Sequence, residues 1–153
     1  MKFKFPLQKV LQHRKILEDL AQRDFQEALS ELNLQIQKLR DMGDQVHVAH
    51  HEAFTKQNAG GRTGSDLIQI HDFLRGQDIR MERQRAKIQE SEKLVENLRD
   101  ILRQKAIDYK MIESLKNRKK EEFRKDKNKK EQKEADENTT MRFRFKENDV
   151  VES

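Results

Sequence analysis

The chain has 153 residues, 33% hydrophobic and 40% charged, with one Pro, no Trp and a mean hydropathy of −1.12, too little apolar matter for a layered globular core but enough for one helical seam. It has no Cys, which excludes disulfides, thiolate zinc sites and thiol nucleophiles together and fits a reducing, cytosolic setting. Lys and Arg exceed Asp and Glu by 33 to 28, a net charge of +5, and no apolar run approaches the ~20 residues of a membrane span, so the chain is not expected to cross a bilayer by itself.

The opening Met1-Lys-Phe-Lys-Phe5 alternates cations with aromatic rings and lacks the apolar region of a secretory signal. It is expected to cover the start of a coil. Pro6 suits a first helical position, because its missing N–H would be unpaired there anyway. Apolar residues then recur at Leu17, Ala21, Phe25, Ala28, Leu32, Ile36 and Leu39, locally an eleven-residue repeat that winds straight or slightly right-handed. A first helix is expected over 1–57. His47 and His51 have the i, i+4 spacing of a zinc pair, with His50 and His71 near if the chain folds back. The H-E-x-x-H pattern is missing, since Thr55 stands where the second His would be. These histidines are read as a polar helix face, and no metal or cofactor is expected.

Asn58-Ala-Gly-Gly-Arg-Thr-Gly-Ser65 is the only stretch dense in turn residues, so the chain reverses over 58–65. A phosphate-binding loop would need a Lys at its end and a strand before it, and neither is present. Ser65 or Asp66 can cap the second helix, and Asp66 with Gln69 imitates a capping box. From there Leu67, Leu74, Met81, Ile88, Val95, Leu102 and Tyr109 stand seven apart, the mark of a long helix that needs a partner helix along one seam. The other seam positions read Ile70, Gln77, Gln84, Ser91, Leu98, Lys105 and Ile112, so polar layers alternate with apolar ones and trade strength for specificity. A short connection makes antiparallel neighbours the default. Gly43 and Gly76 fall at one height in such a hairpin, a candidate hinge.

Folding about residue 61 sets Leu7 level with Leu115, so residues beyond Lys116 are expected to project without a partner. At a rise of ~1.5 Å per residue the paired part is roughly 75 Å long and the overhang through Lys133 about 25 Å. Between Lys116 and Lys133 ten basic residues face four acids. With few apolar residues besides Phe123, this overhang should fray when free and order on a partner. The second helix is expected over 66–138, with a flexible tail over 139–153. Met141-Arg-Phe-Arg-Phe145 repeats the basic and aromatic chemistry of the N-terminus. Interleaved rings and cations also fit a nucleic-acid platform, yet the acids lie where they favour intrahelical ion pairs, which points to a protein-docking face. Two helices offer no water-excluding pocket, so no catalytic residue is expected.

The fold class is therefore all-α, a long antiparallel two-helix coiled-coil hairpin with a C-terminal helical overhang. Phe3-x-Phe5-x-Leu7-x-x-Val10-Leu11-x-x-Arg14 at the start and Glu131-Gln-Lys-Glu-Ala-Asp-Glu137 followed by Arg142 at the end resemble the flagellar FliJ family. That resemblance implies a non-enzymatic part of the flagellar type III export apparatus, cytoplasmic and peripheral to the inner face of the membrane. It implies a member similar to the central stalk of rotary ATPases, which enters the export ATPase ring, promotes its assembly and ATP hydrolysis, contacts the transmembrane export gate and escorts export chaperones. The ATPase contact would fall on Phe3, Phe5, Leu7, Arg14, Lys119, Lys120, Phe123, Arg124, Gln132, Lys133, Asp136 and Glu137. The gate contact would fall on Gln35, Leu39, Met42, Val46 and Phe73, of which Met42 and Val46 stand where the family usually has aromatic rings. Leu39, Met42 and Val46 also continue the apolar stripe, so a seam role is an equal reading. The alternatives are a generic coiled-coil adaptor or spacer and, behind it, a basic nucleic-acid-binding rod.

Overall fold

The computed structural model describes residues 2–58 and 64–151. It contains two helices, α1 (Gln8–Asn58) and α2 (Gly64–Val151), which pack against each other as an all-α antiparallel hairpin, with no strand among the described residues. The turn expected over 58–65 lies mostly outside the described residues. The chain divides into two compact units, one comprising Leu17–Ala106 and the other Met1–Ile16 with Ile107–Ser153.

In the first unit the seven-residue repeat meets the eleven-residue one. Ala28, Leu32 and Val95 form its buried centre, with Phe25, Leu29, Ile36, Ile88 and Leu98 packed around them. Ala21, Ala28 and Ala49 are buried on the α1 side, and their small side chains leave room for longer α2 residues. Arg99 lies over the Phe25 ring at 5.7 Å, closing one flank of the seam with a cation–π contact. Lys56 pairs with Asp66 at 3.6 Å, and Asp66 sits in the first turn of α2, where a negative charge favours the helix dipole.

The polar layers are part of this core. Gln77 and Gln84 are 2% and 4% exposed, and burial of an amide is tolerated only when its polar atoms are bonded. Gln77 Nε2 donates to the Met42 carbonyl at 3.2 Å and to Gln45 Oε1 at 2.8 Å, while its Oε1 accepts from Arg80 Nε at 2.8 Å. Gln84 Nε2 donates to the Gln35 carbonyl at 2.8 Å and to Gln35 Oε1 at 2.7 Å. Each glutamine reaches one backbone carbonyl of α1, so the pair marks fixed positions along that helix.

In the second unit the entry to α1 differs from the expectation. Gln8 N–H donates to the Phe5 carbonyl at 3.1 Å and Leu11 N–H to the Leu7 carbonyl at 2.9 Å. Pro6 therefore lies in a turn before the helix, and α1 opens at Gln8, because the Leu7 carbonyl is the first to accept an i, i+4 bond. Leu11 is buried against α2, and Arg14 Nη1 donates across to the Asp108 carbonyl at 2.8 Å. Lys15 Nζ sits 5.1 Å from the Tyr109 ring centre. Leu7 and Leu115 line one groove, as their expected level requires.

Two further differences concern the C-terminal part. Phe123 meets a partner: Phe3 packs on it with ring centres 5.6 Å apart and planes tilted by 52°. The non-helical N-terminal segment thus carries the pairing past Lys116. The helix also continues beyond residue 138 to Val151. Lys, Glu and Arg are strong helix formers, and Thr139 and Thr140 return their hydroxyls to the Ala135 and Asp136 carbonyls at 2.8 Å instead of interrupting the ladder.

Candidate functional site

The residues expected to contact an ATPase all fall in the unit that holds both termini. The structure gathers Phe3, Phe5, Leu7, Lys119 and Phe123 around one groove, together with Lys4, Leu115, Glu122 and Asp126. Phe3, Phe5 and Phe123 are half-buried there, and Leu7 and Lys119 are exposed. Arg14 stands apart, engaged with the Asp108 carbonyl.

Lys120, Arg124, Gln132, Lys133, Asp136 and Glu137 lie along α2, where every residue from Arg124 to Val151 is exposed. Lys119 pairs with Glu122 at 3.4 Å, Arg124 with Glu121 at 2.8 Å and Lys127 with Glu131 at 3.9 Å. The hydrogen bond from Arg124 holds the Glu121 carboxyl below the usual glutamate range, and the same bond raises Arg124. Exposed pairs of this kind support the helix only slightly, so the basic surplus of this stretch stays available to an acidic partner.

The expected gate residues lie in the other unit and divide in two. Gln35 Nε2 donates to Glu31 Oε1 at 2.6 Å, and its Oε1 accepts from Gln84, so its polar groups are used inside the hairpin. Leu39, Met42 and Val46 are half-buried along the seam side of α1. Phe73 alone of the five is exposed. It borders a groove of about 490 Å³ lined by Asp44, Gln45, Val48, Ala49, Glu52, Gln69 and Ile70, and Arg80 stacks over its ring at 5.6 Å.

Arg80 joins Phe73 to the buried Gln77, a connection the heptad reading did not contain. The seven-residue spacing of Phe73 and Arg80 was the signal that could have found it. Val48 belongs to the same groove and was also missed, because it falls beside the apolar stripe and not on it. His47, His50, His51 and His71 are all exposed, and among the described residues no three His, Asp or Glu side chains group as a metal site would require. No described helix is long and apolar enough to cross a membrane.

Compared with known protein families, the chain matches the flagellar FliJ protein over residues 3–148. No curated protein and no solved structure matches it.

Proposed function

Because this chain belongs to the flagellar FliJ family, and so to the flagellar export apparatus, we propose that it is a non-enzymatic coupling part that docks into the export ATPase ring like a rotary stalk. In this reading it promotes ring assembly and ATP hydrolysis and links the ring to the transmembrane export gate and to export chaperones. It works at the cytoplasmic face of the membrane, held there through the apparatus.

The observation that carries the reading is the exposed continuation of α2 from Arg124 onward, a single helix roughly 10–12 Å across with charges of both signs along it and its basic surplus between Arg124 and Lys133. Leu7, Arg14, Lys119, Lys120, Phe123, Arg124, Gln132, Lys133, Asp136 and Glu137 make up the docking end, with Phe3 and Phe5 lying over it. Gate binding falls to Phe73 and its groove, backed by Gln35, Leu39, Met42 and Val46.

The test is ATP hydrolysis by the purified export ATPase of the same source, with the intact chain or with a chain ending at Asp126, which keeps the Phe3–Phe123 contact. Stimulation by the intact chain, lost on shortening, is the expected result. Equal stimulation by both would move the contact off the free helix, and none by either would leave an adaptor without an ATPase role.

A further inference from the structure

Residues 2–5 are neither helix nor strand. Among the described residues, the backbone hydrogen bond that ties this segment down comes at its last residue, where Phe5 accepts from Gln8. Side chains do the rest. In an extended segment alternate residues point to opposite sides, and here Phe3 and Phe5 are half-buried while Lys2 and Lys4 are exposed. Phe3 is seated on one ring, Phe123.

The seat is loose. A groove of about 640 Å³ stays open along the segment and α2, lined by Leu7, Leu115, Lys119, Glu122 and Asp126 among others. The tilted ring pair, the half-burial of Phe5 and one backbone hydrogen bond must offset the entropy of ordering the whole segment beside an open groove, so the closed and open forms lie close in free energy. The same patch of α2 supplies Lys119 and Phe123 to the docking end, and a partner cannot reach the face of the Phe123 ring on which Phe3 lies, although the ring also borders a second groove with Asp126, Lys127 and Lys130.

We propose that residues 2–5 are a removable clasp, an autoinhibitory cover that hides the Leu115–Phe123 face of α2 until the export ATPase displaces it. The inference rests on the ATPase-docking reading and adds to it that Phe3 acts by covering and not by touching the ring. The surface that replaces the clasp shares its chemistry, an apolar side chain beside a cation, because Glu122 and Asp126 line the groove next to the Phe123 ring.

A protein that binds only in its open form shows an affinity reduced by the open fraction. A clasp closed about nine-tenths of the time therefore weakens docking roughly ten-fold. The experiment titrates the purified export ATPase with the full chain, with Phe3→Ala and with Phe123→Ala, after circular dichroism has shown equal helicity. Phe3→Ala should bind about ten-fold tighter than the intact chain, and Phe123→Ala, which loses the contact as well as the clasp, should bind more weakly than Phe3→Ala. If Phe3→Ala binds no tighter while the intact chain binds, the clasp is no cover and this inference falls alone. If neither the intact chain nor Phe3→Ala binds, the docking reading falls and takes the clasp's role with it.

Discussion

At the scale of single residues, the buried glutamines decide how well the seam is defined. Gln77 is the most deeply buried large side chain among the described residues, and a hydrogen-bonded amide in that place contributes less than a well-packed hydrocarbon would. Its value lies in geometry, because its amide bonds only where the Met42 carbonyl and Gln45 stand opposite. A slip by one heptad would bring Gln84 to that position and leave Gln77 facing residues near Glu52, so the two layers discriminate only as a pair with their α1 partners. Replacing both glutamines by Leu costs little in lost partners: the two carbonyls keep their own helical bonds, exposed Gln45 and Arg80 reach solvent, and half-buried Gln35 loses its Gln84 donor but keeps its bond to Glu31. The double variant should unfold at higher denaturant, by a stabilisation of about 1 kcal/mol, yet give more than one set of amide resonances for residues 35–45. One set of resonances with lower stability would mean that the glutamines strengthen the fold and do not select its register.

At the scale of the elements, the helices were legible because a seven-residue spacing states which side chains face a partner. The seam from Leu67 to Tyr109 and the polar positions Gln77 and Gln84 follow from that spacing alone. It does not state what a residue touches, so the bonds of Gln84 to Gln35 and the choice of Phe123 as the ring under Phe3 were out of reach, although the opening segment was expected to cover the start of the coil. The clasp has no helical period at all. The end of α2 was placed too early for another reason: Thr139 and Thr140 have poor helix propensity, but their hydroxyls turn back to the Ala135 and Asp136 carbonyls and so do not compete for the helix's own N–H groups. The glycine pair follows the same logic. A Cβ on Gly43 would meet open space, whereas one on Gly76 would come within 3.1 Å of the Arg80 guanidinium. Gly43→Ala should therefore stabilise by the full difference in helix propensity, about 1 kcal/mol. Gly76→Ala should gain less, since Arg80 must swing and loosen its bond to Gln77. Amide exchange near the glycines should slow more in Gly43→Ala than in Gly76→Ala, and equal or unchanged exchange in both would remove the hinge.

At the scale of the whole molecule, the two proposed contact sets fall in different units and share no residue. That separation makes their roles testable apart. Phe73 is the member of the gate set whose ring is open to a partner, and an exposed aromatic beside an apolar groove is the type of residue that dominates a protein interface. Removing it costs the fold little, because the ring loses mainly its stacking with Arg80, worth on the order of 0.5–1 kcal/mol at an exposed site. A hot-spot loss of about 2 kcal/mol corresponds to roughly a thirty-fold weaker complex. Phe73→Ala should therefore bind the cytosolic part of the export gate about thirty-fold more weakly, measured by titration calorimetry, while stimulating the ATPase as the intact chain does. Loss of both activities would assign Phe73 to the fold through Arg80 and Gln77, and retention of both would place the gate contact on the half-buried Leu39, Met42 and Val46, which would then have to leave the seam to reach it.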